Sequence, residues 1–240
     1  MNSKRIEIVD FLRGLAVINM IIYHFLYTLV FVFGVELDFF SIASFYPYQQ
    51  YIAWSFILLS GFSINLSKNI LKNGLTVILS ALAVTLVTYF FIPKLTIRFG
   101  ILHFMGFSIL IAGLFKSFFK KLNPFIGLIL SFAGFIYIWE NGVEVFPFYE
   151  RLSELNLFFL GFPNESFSSS DYFPILPWIF LFFTGYYIGR INEVYGNVLK
   201  KYDINLPIIN FFGRHSLAIY LSHQILIYFC LTILRNIGII

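Results

Sequence analysis

Apolar runs of about 18 residues or more recur along this 240-residue chain, and such a run is long enough to cross a hydrocarbon core as a helix. Charged residues make up 12% of the sequence, against about 25% in an ordinary soluble domain. The runs therefore predict an all-α, polytopic transmembrane helix bundle. Seven helices can be drawn, over 10–33, 46–66, 74–92, 98–116, 124–139, 173–190 and 211–234, in a single integral-membrane domain covering 1–240. The first run is long and no small-residue cleavage site follows it, so it reads as a retained helix and not as a removed signal peptide. Cys230 is the sole cysteine, which rules out an internal disulfide and suggests a packed thiol.

The basic residues orient the bundle. Of sixteen Lys and Arg, only Lys94, Arg98, Arg151 and Arg235 fall on one side. The other twelve, from Lys4, Arg5 and Arg13 to Lys200, Lys201 and Arg214, fall on the opposite side, where Lys68, Lys72, Lys116, Lys120, Lys121 and Arg190 also lie. Positive residues favour the cytoplasm, which predicts an inside N-terminus and an external C-terminus. Acids show the reverse bias, and Trp139 and Trp178 fall at the external interface, where indole rings prefer to sit. The external segment 140–172 exceeds an ordinary connector and carries an apolar patch at 155–162, as a lid would; a plain surface loop fits almost equally well.

Within the first run, Asp10, Arg13 and His24 interrupt an otherwise apolar helix. Eleven residues separate Arg13 from His24, about 1100° of rotation, so the two side chains share a face about 16 Å apart along the axis. Asp10 is one turn from Arg13 and within its reach. Ionisable groups at membrane depth are costly and mark functional interiors by default. The plainer reading has Arg13 reaching headgroups and His24 making one interhelical hydrogen bond. His103 falls at about the same depth as His24, roughly 8–9 Å below the external face by helix rise. His223 falls near the midplane and His215 near the cytoplasmic end.

The histidines form no i, i+4 pair, HExxH is absent and no cysteine partner exists, so the pattern predicts no metal site. No P-loop or GxGxxG follows a strand pattern, which excludes a soluble-type nucleotide enzyme. What remains is an acid–base group inside the membrane, His24, with Arg13, Arg190 and Arg214 at the cytoplasmic mouth as phosphate-binding cations. A proton-coupled transporter or flippase using the Asp10, Arg13 and His24 stripe is the rival reading, although paired helix interruptions are missing.

Five blocks carry a family resemblance: FLRGLAVINMIIYH (11–24), FILLSGFSI (56–64), FGILHFMGFSIL (99–110), DYFPILPWIFLFFTGYYIGR (171–190) and FFGRHSLAIYLSHQ (211–224). In that order they resemble the catalytic domain of heparan-α-glucosaminide N-acetyltransferases, in particular its short bacterial members. The first block also resembles the opening of the wider group of integral-membrane acyltransferases. The resemblance implies transfer of an acyl group, acetyl in the simplest case, from cytoplasmic acyl-CoA to a sugar across a bacterial cytoplasmic membrane. It places Arg13 and His24 in the active site and points to His103 and Asp171 as further catalytic residues. Lysosomal members carry Asn where His24 stands and a histidine in the external loop that follows, whereas loop 34–45 here has none. The expected partners are therefore membrane lipid, acyl-CoA and a bacterial glycan or glycolipid acceptor, without nucleic acid, and a homodimer is an assembly to test.

Overall fold

The structure is a computed structural model that describes residues 6–196, 198–202 and 204–240; Lys4 and Arg5 of the charge bias lie outside the described residues. Among the described residues the chain is all-helical, and backbone pairing is limited to two isolated bridges. Its α-helices are α1 (Glu7–Phe31), α2 (Ile42–Ser63), α3 (Ile70–Phe91), α4 (Ile101–Leu114) and α5 (Lys116–Lys121). They continue with α6 (Pro124–Asn141), α7 (Tyr149–Glu154), α8 (Ile175–Val194), α9 (Pro207–Arg214) and α10 (Ser216–Asn236). Each of the seven expected segments holds a helix, of which α4, at 14 residues, is the shortest. Four of these, α1, α3, α6 and α10, are long and apolar enough to cross a membrane.

Local chemistry sets several of the boundaries. Asn123 caps α6 by accepting the Phe125 and Ile126 N–H groups, with Pro124 at the first helical position. Gly142, at φ +75°, ends the same helix in a conformation that strains any side chain. Two segments differ from the sequence-based expectation. KSFFKKLN, read as a connector, winds into α5, because Phe119 packs 4.3 Å from the Phe183 ring while Lys120 and Lys121 stay exposed. The run expected as one helix over 211–234 is divided: α9 stops at Arg214 and α10 starts at Ser216. At the break, the His215 backbone N–H and ring Nδ1–H both donate to the Phe211 carbonyl.

The chain packs as two units, one formed by residues 57–198 and the other by 6–56 with 199–240. In the second, terminal unit, Val17, Met20 and Tyr23 of α1 pack with Phe40 and Ile52 as a core. Tyr48 on α2 donates to Asn19 Oδ1 at 2.6 Å, a polar tie between two apolar helices. Helix α9 lies directly against α1. A Cβ on Gly213 would sit 1.8 Å from the Asp10 carbonyl oxygen, and one on Gly14 would sit 2.0 Å from that of Ile209. Bare backbone is thus required on both sides. Gly213→Ala is expected to destabilise the protein by about 1–3 kcal/mol, the usual scale of overpacking, seen as a lower melting temperature in detergent. An unchanged melting temperature would show that the contact yields freely.

Helix α10 runs parallel to α1 within this unit. His24 faces His223, Thr28 accepts from Gln224 at 3.0 Å, and Phe33 meets Tyr228 one step further on. In the central unit α3 and α4 are antiparallel, since the Gly113, Gly106 and His103 levels match Ile70, Ile78 and Thr85 in turn. Helices α6 and α8 are antiparallel as well, with Gly127 against Tyr187 and Gly134 against Phe180. The end of α2 runs parallel to α8: Leu58 and Phe62 meet Gly185 and Gly189.

Candidate functional site

Helix α1 carries the stripe expected from its sequence and turns it toward α9 and α10. Its lower rung is a charge cluster. Arg13 Nη1 donates to Asp10 Oδ1 at 3.2 Å, and Arg214 Nε lies 3.7 Å from the other Asp10 oxygen. Arg214 Nη2 also donates to Glu7 Oε2 at 2.8 Å. Asn210, fully buried, donates to the same Glu7 oxygen at 2.9 Å and accepts the Leu206 N–H. Buried Asp10 thus draws two guanidinium groups together that would otherwise repel each other. Glu7 and Asp10 occupy the first turn of α1, where the helix dipole also favours negative charge.

The upper rung lies about 16 Å along α1 from Arg13, at eleven residues of helical rise. Here the His24 ring sits 4.9 Å, centroid to centroid, from that of His223. The Tyr23 ring meets His24 edge-on at 5.6 Å. His223 Nδ1 lies 2.6 Å from the Tyr220 carbonyl, whereas its Nε2 is buried and has no partner among the described residues. The sequence assigned no role to His223. A signal was present, however: α1 carries Arg13 and then His24, and the last block carries Arg214 and then His223, in the same direction and with similar spacing.

His103, Asp171 and Arg190 belong to the central unit. His103 stacks on Phe99, and both of its ring nitrogens are engaged. Nδ1 accepts the Gly100 N–H at 3.3 Å, and Nε2 lies 3.2 Å from Thr85 Oγ1. The Thr85 hydroxyl spends its proton on the Ile97 carbonyl at 2.6 Å, so Nε2 must carry the hydrogen between them. In this arrangement His103 has neither a free lone pair nor a free donor. Asp171 Oδ2 accepts the Ile101 N–H at 3.0 Å and so caps α4, and a Cβ on Gly100 would come within 2.3 Å of that oxygen. Burial pushes the Asp171 carboxyl up to about 6, against the Ile101 N–H, which pulls it down. It therefore remains largely ionised at neutral pH, as a cap should be. Arg190 Nη1 pairs with Glu193 Oε2, one turn further along α8.

The segment over 140–172 is fastened to this same corner. Ser169 accepts the Arg98 N–H, Ser170 donates to the Leu95 carbonyl, and Phe99 bridges to Tyr172. Phe167 stacks on Phe158 at 4.6 Å, with the Arg98 guanidinium 6.0 Å from the Phe167 ring centre.

Residues 5–225 match the model of one protein family, described as the catalytic domain of heparan-alpha-glucosaminide N-acetyltransferase. No curated protein and no solved structure matches the chain. The matched span contains both rungs of α1 and all five sequence blocks, and the four apolar helices agree with a membrane enzyme. The chain therefore belongs to the heparan-α-glucosaminide N-acetyltransferase catalytic family, a family of membrane acetyltransferases.

Proposed function

We propose that this protein takes an acyl group, acetyl in the simplest case, from acyl-CoA on the cytoplasmic side and passes it to a glycan or glycolipid acceptor at the external side of a bacterial cytoplasmic membrane. The observation that carries this reading is the two-rung arrangement along α1: clustered arginines at one level and paired histidines about 16 Å away. CoA has the same polarity, with phosphates at one end and a thioester at the other. Arg13 and Arg214 take the phosphates, held in place by Asp10 and Glu7. His24 takes the acceptor's proton as the acceptor attacks the thioester carbonyl. The C–S bond breaks, and the departing CoA thiolate recovers that proton from His24. For the central unit the proposed roles are local. Asp171 and His103 hold the start of α4 and with it the external corner, and Arg190 is set by its pairing with Glu193.

Seven spans with the N-terminus inside are part of the proposal; helix direction supports the odd number of spans independently of charge, while the charge bias sets which side is inside. Spans that cross in alternation are parallel only when an odd number of others lies between them. Helices α1 and α10, the first and seventh, run parallel, as do α2 and α8, the second and sixth. Cysteines placed at exposed Ser44 and Ser168 in a Cys230→Ser background should react with an impermeant thiol reagent in whole cells. One placed at Lys120 should react only after permeabilisation. The opposite pattern would reverse the membrane orientation and the side from which the donor arrives.

The direct test is CoA release by purified protein in proteoliposomes, with acetyl-CoA outside and an α-glucosaminide probe or a bacterial glycolipid extract as acceptor. Acceptor-dependent CoA release with an acetylated product is the expected result. Proton-coupled movement of solute without CoA would favour a transporter instead.

A further inference from the structure

We infer that His223 is a positioning residue for His24: its Nε2 accepts a hydrogen bond from the His24 ring and leaves the other His24 nitrogen bare to take a proton. This rests on His24 as the base of the proposed reaction. A carbonyl oxygen only accepts, so the 2.6 Å contact with the Tyr220 carbonyl requires the hydrogen of His223 to sit on Nδ1. A neutral imidazole has a single N–H, and His223 Nε2 is therefore a lone pair. That lone pair is buried and unpartnered, a state that costs free energy unless a donor reaches it.

The His24 ring is that donor. Its centroid lies 4.9 Å from that of His223, a separation at which rotation of the His24 ring can bring one of its nitrogens within hydrogen-bond distance of Nε2. The backbone holds the pair in register. Gln224, adjacent to His223, donates to Thr28, one turn above His24, and the Tyr23 ring packs on the His24 edge. Once His24 gives its only N–H to His223, its second nitrogen carries the lone pair. A relay of fixed tautomers results: Tyr220 carbonyl, His223 Nδ1–H, His223 Nε2, His24 N–H, and the bare His24 nitrogen facing the acceptor.

During transfer the acceptor O–H or N–H proton moves to that bare nitrogen as the new bond to the acyl carbon forms. The C–S bond breaks, and the thiolate of CoA takes the proton back. Between those events His24 is an imidazolium, and its N–H to His223 becomes a charge-assisted hydrogen bond of the stronger class. No proton needs to pass to His223 for this to help. Its work is to fix the tautomer of His24 and to spread its transient charge.

Two variants and one spectrum test the assignment. His223→Leu removes the acceptor and should lower kcat about 10- to 100-fold, the equivalent of one charge-assisted hydrogen bond, with KM for acetyl-CoA unchanged. His223→Gln places an amide oxygen near the position of Nε2 and should restore most of the loss. In ¹⁵N-histidine-labelled wild-type protein in lipid nanodiscs, a through-hydrogen-bond correlation should join a His24 N–H to His223 Nε2. Full kcat in His223→Leu, equal losses in the Leu and Gln variants, or a protonated His223 Nε2 in the spectrum would each overturn the assignment. Absence of acyl transfer by the wild-type protein would overturn the acyltransferase reading and this role with it; undiminished transfer in His223→Leu would overturn the role alone.

Discussion

His24→Ala is expected to lower acyl transfer by about 10²–10⁴-fold, the usual contribution of a general base, while acyl-CoA still binds. The two effects separate because the rungs separate: Arg13, the phosphate ligand proposed on this helix, lies about 16 Å along α1 from His24. Folding should survive as well: His24 is only half-buried, and although its loss leaves His223 Nε2 without the proposed donor, α1 and α10 stay joined through Thr28 with Gln224 and Phe33 with Tyr228. His24→Asn is the sharper variant. Asparagine can hydrogen-bond an acceptor and restores the residue of the lysosomal pattern, but it cannot accept a proton at neutral pH. Transfer, measured as CoA release with a competent acceptor, should therefore stay low in His24→Asn. Full activity there would mean that this position only orients the acceptor, and loss of acyl-CoA binding together with activity would make His24 a structural residue.

The second large effect is expected at the lower rung. Arg13→Ala and Arg214→Ala should each weaken acyl-CoA binding roughly ten- to a hundredfold, from the loss of about 1.5–3 kcal/mol per charge-assisted hydrogen bond to phosphate. Arg214→Lys should fall between wild type and Arg214→Ala. It keeps the charge but gives up the planar fork that spans Glu7 and Asp10. Calorimetry on the purified protein reads all three variants directly. Unchanged affinity in both alanine variants would return these arginines to the general preference for positive charge on the cytoplasmic side. The cluster also limits the size of the effect. Arg214 and Arg13 are engaged by Glu7 and Asp10, so a phosphate bound there would add to existing partners and not replace water alone.

Much of the fold is legible in the sequence, because lipid imposes one strong rule on backbone and side chains alike. Long apolar runs specify helices, and each of the seven expected segments contains one. The pattern fails where apolarity does not change but local hydrogen bonding does. The α9–α10 break at His215 sits inside a run that reads as continuous; there the backbone leaves helical geometry (φ −108°, ψ 19°) and the ring Nδ1–H joins the backbone N–H on the Phe211 carbonyl. Helix α5 escapes the pattern for a related reason: its lysines read as a solvated connector, while Phe119 supplies the packing that makes it a helix.

The candidate site divides along the same line. The sequence alone determined that Arg13 and His24 share a face, since helix periodicity ties residues on one helix without reference to any neighbour. The ordered blocks likewise lead to the family that the match over residues 5–225 bears out. Tertiary structure alone decided what those two residues meet. Arg214 and His223 are some two hundred positions away, and their arrival beside Asp10 and His24 depends on bare backbone at Gly14 and Gly213 and on the parallel run of α10. His103 shows the same limit from the other side. Its position in the sequence looks like that of a poised histidine, yet a threonine hydroxyl eighteen residues away and a backbone N–H occupy both of its nitrogens. Periodicity can state which face a histidine occupies. Whether its lone pair is spent or bare is set by hydrogen-bond partners that only the packed chain brings within about 3 Å.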